Sequence, residues 1–135
     1  MAYKIDEIEG IGPAKKEQLA KGGIATTDDL LERCGDKKGR DSIASLTGIK
    51  ASDLLKFANM ADLMRIKGVG EEYSELLEAA GVDTVKELRT RRADNLTTKM
   101  TEVNDAKKLV RSLPAEKTVQ GWIDHAKTLD PKVTH

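Results

Sequence analysis

The chain has 135 residues, of which 34% are charged and only 3% aromatic, so aliphatic side chains must build whatever core it has, and a large catalytic scaffold is disfavoured. Its 23 basic and 23 acidic residues cancel. The balance also holds locally, with 11 of each sign in residues 1–65 and 12 of each in 66–135, which excludes a basic arm or an acidic tail and argues against binding driven by a strong positive field.

In chain order, Ile5 and Ile8 share one face of a short amphipathic helix that runs into Gly10-Ile11-Gly12. Pro13 suits a first helical position, and Gly22-Gly23 supplies a left-handed cap at the end of the helix it opens. Thr26, with Asp29 three residues on, is a capping-box signature for the next helix. Asp53 to Arg65 reads as one helix with Leu54, Phe57, Ala58, Ala61 and either Met64 or Arg65 near one face, leading directly into Gly68-Val69-Gly70. A further helix ends at Gly81, Thr84 and Glu87 form a second capping-box signature, and Trp122, Ile123, Ala126 and Leu129 make a final stripe closed by Asp130-Pro131. Strand-like alternation is nowhere sustained, so the expected class is all-α.

The chain also repeats itself. Gly10-Ile11-Gly12 recurs as Gly68-Val69-Gly70, an offset of 58 that also takes Leu19 to Leu77, Gly23 to Gly81, Ile24 to Val82, Thr26 to Thr84 and Leu30 to Leu88 without a gap. Two copies of one supersecondary unit, residues 1–64 and 65–135, are the simplest explanation. Past these helices a gap is needed to bring Phe57 onto Trp122. Repeated apolar hairpin tips imply that Ile11 and Val69 point inward, alongside Leu19, Leu30, Leu77, Leu88 and Trp122.

The run from Ile8 to Leu19, with Gly10-Ile11-Gly12 at its turn, and the run from Ile66 to Leu77, with Gly68-Val69-Gly70, each resemble the helix-hairpin-helix motif. The whole chain resembles an uncharacterised bacterial family with paired helix-hairpin-helix repeats. That resemblance implies two pseudo-repeated units packed as a small helical bundle. It also implies that a hairpin meets a nucleic-acid phosphate through backbone N–H groups at a helix N-terminus, without reading bases; some relatives bind a monovalent cation on the hairpin carbonyls. The candidate contacts are Gly10, Ile11, Gly12, Ala14, Lys15 and Lys16, with Gly68, Val69 and Gly70 weaker because Glu71 and Glu72 open the following helix and repel a polyanion. Lys16 departs from the motif, which has a small residue at that position.

No set of residues reads as catalytic. Cys34 is the only cysteine, which excludes an internal disulfide and, with only His125 and His135 beside it, a Cys/His zinc cluster. Asp28-Asp29 reads as charge at a helix N-terminus. The basic clusters Lys37, Lys38, Arg40 and Arg89, Arg91, Arg92 read as solvated faces, and His125 as structural. No cofactor and no metal are expected, and a cytoplasmic location follows from a start that is neither a signal peptide nor a myristoylation site and from the lack of a membrane-spanning apolar run. The expectation is a non-catalytic binding module whose partner is the backbone of DNA or RNA, the alternative being a module that binds another protein.

Overall fold

The computed structural model describes residues 3–135, and among them every regular element is helical. A 3-10 turn, Ile5–Glu7, precedes eight α-helices: α1 (Pro13–Lys21), α2 (Thr27–Cys34), α3 (Lys37–Thr47), α4 (Ala51–Leu63), α5 (Glu71–Ala79), α6 (Val85–Leu88), α7 (Ala93–Lys107) and α8 (Glu116–Ala126). None is long and apolar enough to cross a membrane. An isolated antiparallel bridge between Lys4 and Thr26 ties the start of the described chain to the approach of α2.

Local chemistry accounts for most of the helix ends. The Thr26 side chain accepts from the Asp29 N–H at 3.2 Å while the Asp29 carboxylate takes the N–H groups of Ala25 and Thr26 at 3.0 and 3.1 Å, a complete capping box. At the other end of α1, the Ile24 N–H reaches back to the Leu19 carbonyl at 3.0 Å across Gly23, whose φ of +78° only glycine adopts freely. The end of α5 repeats this, with Val82 N–H on Leu77 at 2.9 Å and Gly81 at φ +94°.

Four expectations need correction. Ile5 and Ile8 are both buried, yet they flank a single 3-10 turn, because Ile8 and Ile11 each donate only three residues back and Gly10 then turns at φ +92°. The helix expected over Asp53–Arg65 is α4, which begins at Ala51 and stops at Leu63: the N–H groups of Arg65 and Ile66 fold back on Asp62 and Leu63, both at 3.1 Å, to enter the second hairpin. The last helix stops at Ala126, short of Asp130-Pro131, as Thr128 and Leu129 close tight turns on His125 and Ala126. Thr84 does accept from the Glu87 N–H at 3.3 Å, but the Glu87 carboxylate is drawn to Arg91 at 3.1 Å, so only half of that capping box forms.

The buried residues fall into two clusters. One joins Ile5, Ile8, Ile11, Leu19, Leu30, Ile43 and Phe57 with their neighbours, and the other joins Ile66, Val69, Leu76, Leu77, Leu88, Met100 and Trp122 with theirs. All seven residues expected inside are buried. Each fully buried aliphatic side chain contributes about 1.5–3 kcal/mol, so both clusters matter to a chain this size. Helix α4 stands where they meet, which is why it is buried all round from Phe57 to Leu63 rather than along one stripe. Before the junction α2 packs on α4 and on α3, α1 on α3 and α3 on α4; after it α6 packs on α8, α5 on α7 and α7 on α8, with no match for α2 on α3 among the described residues, while α4 on α5 joins the two sets.

Two further connections cross the molecule. Asp62, 1% exposed, pairs with Arg65 at 2.6 Å and accepts the Val85 N–H at 2.9 Å, pinning the start of α6 to the end of α4. The end of the chain returns from α8 to the first cluster, where Val133 is buried and the Thr134 N–H donates to the Gly35 carbonyl at 2.8 Å.

Candidate nucleic-acid interface

The first hairpin is a turn held by the Ile11 N–H on the Ile8 carbonyl at 3.1 Å, with Ile11 buried and Gly10, Gly12 and Ala14 exposed. Gly12 caps α1 without any side-chain hydrogen bond, so among the described residues no side chain answers the N–H groups of the first turn. Pro13 at the first helical position has no N–H to offer. Lys15 lies over the Phe57 ring, its ammonium 5.5 Å from the centroid, and Lys16 is exposed and pairs with Asp6 at 3.4 Å. An exposed pair of this kind contributes under about 1 kcal/mol and leaves Lys16 free to exchange partners. Phe57 also props the turn itself, its ring edge 3.3 Å from where a Cβ on Gly10 would stand.

The second hairpin has the same skeleton. Val69 donates to Ile66 at 3.0 Å, Gly68 turns at φ +93°, Gly70 caps α5 with no side-chain bond, and Trp122 lies 3.4 Å from where a Cβ on Gly68 would stand, as Phe57 does beside Gly10. The lysines have no counterpart here. Ser74, fully buried, occupies the position of Lys16 and donates its hydroxyl to the Glu71 carbonyl at 2.9 Å. Glu71 and Glu72 are exposed on the first turn of α5.

The two hairpins meet through carboxylates. A hydrogen bond with Glu9, then partial burial and the charges of Glu9, Glu75 and Glu72, hold Glu71 above the usual glutamate range. Burial first, then Glu9, raises Glu75 likewise, and burial raises Glu78. Glu9, Glu75 and Glu78 line one cleft together with Lys56 and Lys107.

Most of the remaining candidates are accounted for by packing and pairing, while Lys38 is exposed. Arg40 is 3% exposed and donates to the carbonyls of Cys34 and Gly35 at 3.1 and 3.0 Å, closing the end of α2 rather than facing a ligand. Lys37 pairs with Asp41 and Arg92 with Asp94 on the surface. Arg91 bonds Glu87 and the Gly81 carbonyl, at 3.1 and 2.9 Å. Burial pushes the Cys34 thiol up to about 11, far from the range of a reactive thiolate. Asp29 is held low by the backbone N–H groups it caps. His125 accepts the Lys67 N–H on Nδ1 at 3.2 Å. Among the described residues no group of three His, Cys, Asp or Glu side chains is placed to hold a metal ion.

The motif pattern passed over one pair of residues. The guanidinium of Arg33 lies 3.3 Å from a Cβ position on Gly23 and that of Arg91 lies 3.4 Å from one on Gly81. The two arginines are 58 apart in sequence, so the same offset that relates the hairpins would have found them.

Residues 9–129 match the model of a family described as a domain of unknown function, DUF4332. No curated protein and no solved structure matches the chain.

Proposed function

We propose, for a chain that belongs to the DUF4332 family, that it is a non-catalytic binding module of two helix-hairpin-helix units, residues 1–64 and 65–135, and that its first hairpin touches a nucleic-acid backbone without reading sequence. The observation that carries this is the start of α1, where Gly12 leaves the first turn uncapped and Lys15 and Lys16 stand on that turn. A phosphate there meets N–H groups, the positive end of the helix dipole and two ammonium groups at once. The two-unit reading is supported by the matched turns at Gly10 and Gly68, the aromatic beside each, and the helix pairing that recurs on either side of α4.

A second reading has its own support. The carboxylates gathered at Glu9, Glu71, Glu75 and Glu78 between the hairpins disfavour a polyanion and suit a basic protein surface.

Fluorescence anisotropy on unrelated labelled duplexes separates the two. Under the first reading, wild type binds all sequences alike at low salt. Lys15→Glu with Lys16→Glu weakens binding and lowers the salt slope by about one unit per lost contact, and Glu71→Lys with Glu72→Lys strengthens it. Absence of binding at low salt, or binding indifferent to the lysine pair, leaves the protein-binding reading.

A further inference from the structure

Packing does not explain the glycine in the middle of α8. Gly121 is exposed, a Cβ built on it meets nothing within 4 Å, and its φ is not in the left-handed region. An alanine there would favour the helix. What the missing side chain does is keep open a groove of about 570 Å³ that Gly121 lines with Lys67, Gly68, Tyr73, Thr118, Trp122 and His125. That volume lies within the ordinary range of small-molecule sites, and the lining is mostly apolar.

The polar groups of the groove are of one kind. Trp122 is only 4% exposed, and its Nε1–H, 3.4 Å from where a Cβ on Gly68 would stand, meets no acceptor among the described residues and is left to the open groove. His125 accepts the Lys67 N–H on Nδ1, which places the proton of the neutral ring on Nε2 as a second donor. The Lys67 side chain is exposed and forms no ion pair among the described residues. Tyr73 is held by its own bond to the Ser112 carbonyl at 3.0 Å and stacks at a tilt on Trp122, with ring centroids 5.2 Å apart. Among the described residues no carboxylate lines the groove; Asp28 lines the adjoining cavity, along with Arg65.

We propose that this groove binds a small aromatic carboxylate. The ring lies over the bare backbone of Gly121 against Tyr73 and Trp122, and the carboxylate takes the Trp122 Nε1–H, the His125 Nε2–H and the Lys67 ammonium. An aromatic ring covers the apolar wall, and an anion meets a set of donors that otherwise face solvent. The site shares no residue with the lysines of the first hairpin, so it stands or falls independently of nucleic-acid binding.

Trp122 is the only tryptophan, so its indole N–H gives a single cross-peak in the proton–nitrogen NMR spectrum of the full chain. Titration with naphthalene-2-carboxylate is expected to shift that peak downfield and saturably, while naphthalene-2-carboxamide, with the ring but no charge, binds about tenfold or more weakly. Gly121→Leu fills the groove from an open position and removes binding with the rest of the spectrum unchanged. Gly121→Ala gives a smaller loss and serves if leucine disturbs the fold, and Lys67→Gln weakens binding of the acid but not of the amide. No saturable shift at millimolar acid overturns the proposal, as does equal binding of acid and amide, or binding indifferent to Gly121. Tighter binding of a short peptide ending in phenylalanine than of the free acid overturns the small-molecule assignment.

Discussion

At Gly10 the chain turns at φ +92° and at Gly68 at φ +93°, yet the first turn feeds a helix that opens Pro-Ala-Lys-Lys and the second one that opens Glu-Glu-Tyr-Ser. In both, an apolar residue dives into a core and an aromatic ring from a distant helix closes over the glycine. The backbone of such a turn is set by where glycine is needed and by what packs beneath it. Its chemistry is written on the exposed positions, and these are free to change without moving the turn. The first hairpin spends them on ammonium groups and the second on carboxylates, while Ser74 is turned inside where the first hairpin has the exposed Lys16.

Leu19 and Leu77 stand at matching positions and are both fully buried, so alanine at either is expected to cost about 2–5 kcal/mol in urea unfolding. A loss below about 0.5 kcal/mol at one of them would break the equivalence of the two cores. The Asp62 bond to the start of α6 has no counterpart at the start of α2, where the Thr27 N–H, at the position of Val85, is taken by the Tyr3 carbonyl instead, at 2.9 Å. Asp62→Ala strands the Arg65 guanidinium and the Val85 N–H, and a loss of about 2–3 kcal/mol is expected from the same measurement. Substitutions at Thr27 leave the first-half bond in place, because the donor there is backbone meeting backbone.

Alanine at Gly10 or at Gly68 forces a left-handed conformation on a residue with a Cβ and presses it against Phe57 or Trp122. A loss of about 1–2 kcal/mol is expected at each, and unequal losses read by thermal unfolding would sharpen which aromatic yields more easily. The smallest effect separates the surfaces. Glu71 holds its proton more tightly folded than unfolded, so its contribution to stability is full below the ordinary glutamate value of 4.5 and is lost as pH rises through the raised value. Glu71→Gln removes that loss and is expected to stabilise the chain by about 0.3 kcal/mol at neutral pH, with no gain near pH 4, since the carboxyl is exposed and screened. Pro13 occupies the matching position in the first half and gives no such pH dependence.

The all-helical class, the two turns, the helix-ending glycines and the buried apolar residues were legible in the chain, because glycine placement, capping pairs and helical periodicity are local signals that survive any tertiary arrangement. The 58-residue offset was legible for the same reason. Local signals misjudged the segments whose ends depend on distant partners: the turn at Ile5–Glu7, the full burial of α4 between two cores, and the half-made capping box at Thr84, which lost Glu87 to Arg91.

At the candidate interface, Gly12 and the lysines were visible in sequence. That Lys15 lies on Phe57, that Glu9 meets Glu71, and that Trp122, His125 and Lys67 share one groove with Gly121 were not. A sequence by itself determines which residues prefer to turn, cap or hide, since those preferences act over a few neighbours. Which carboxylate faces which, which donor is left without an acceptor, and where the end of the chain returns to the first core depend on groups tens of residues apart, and only packing the helices against one another decides them.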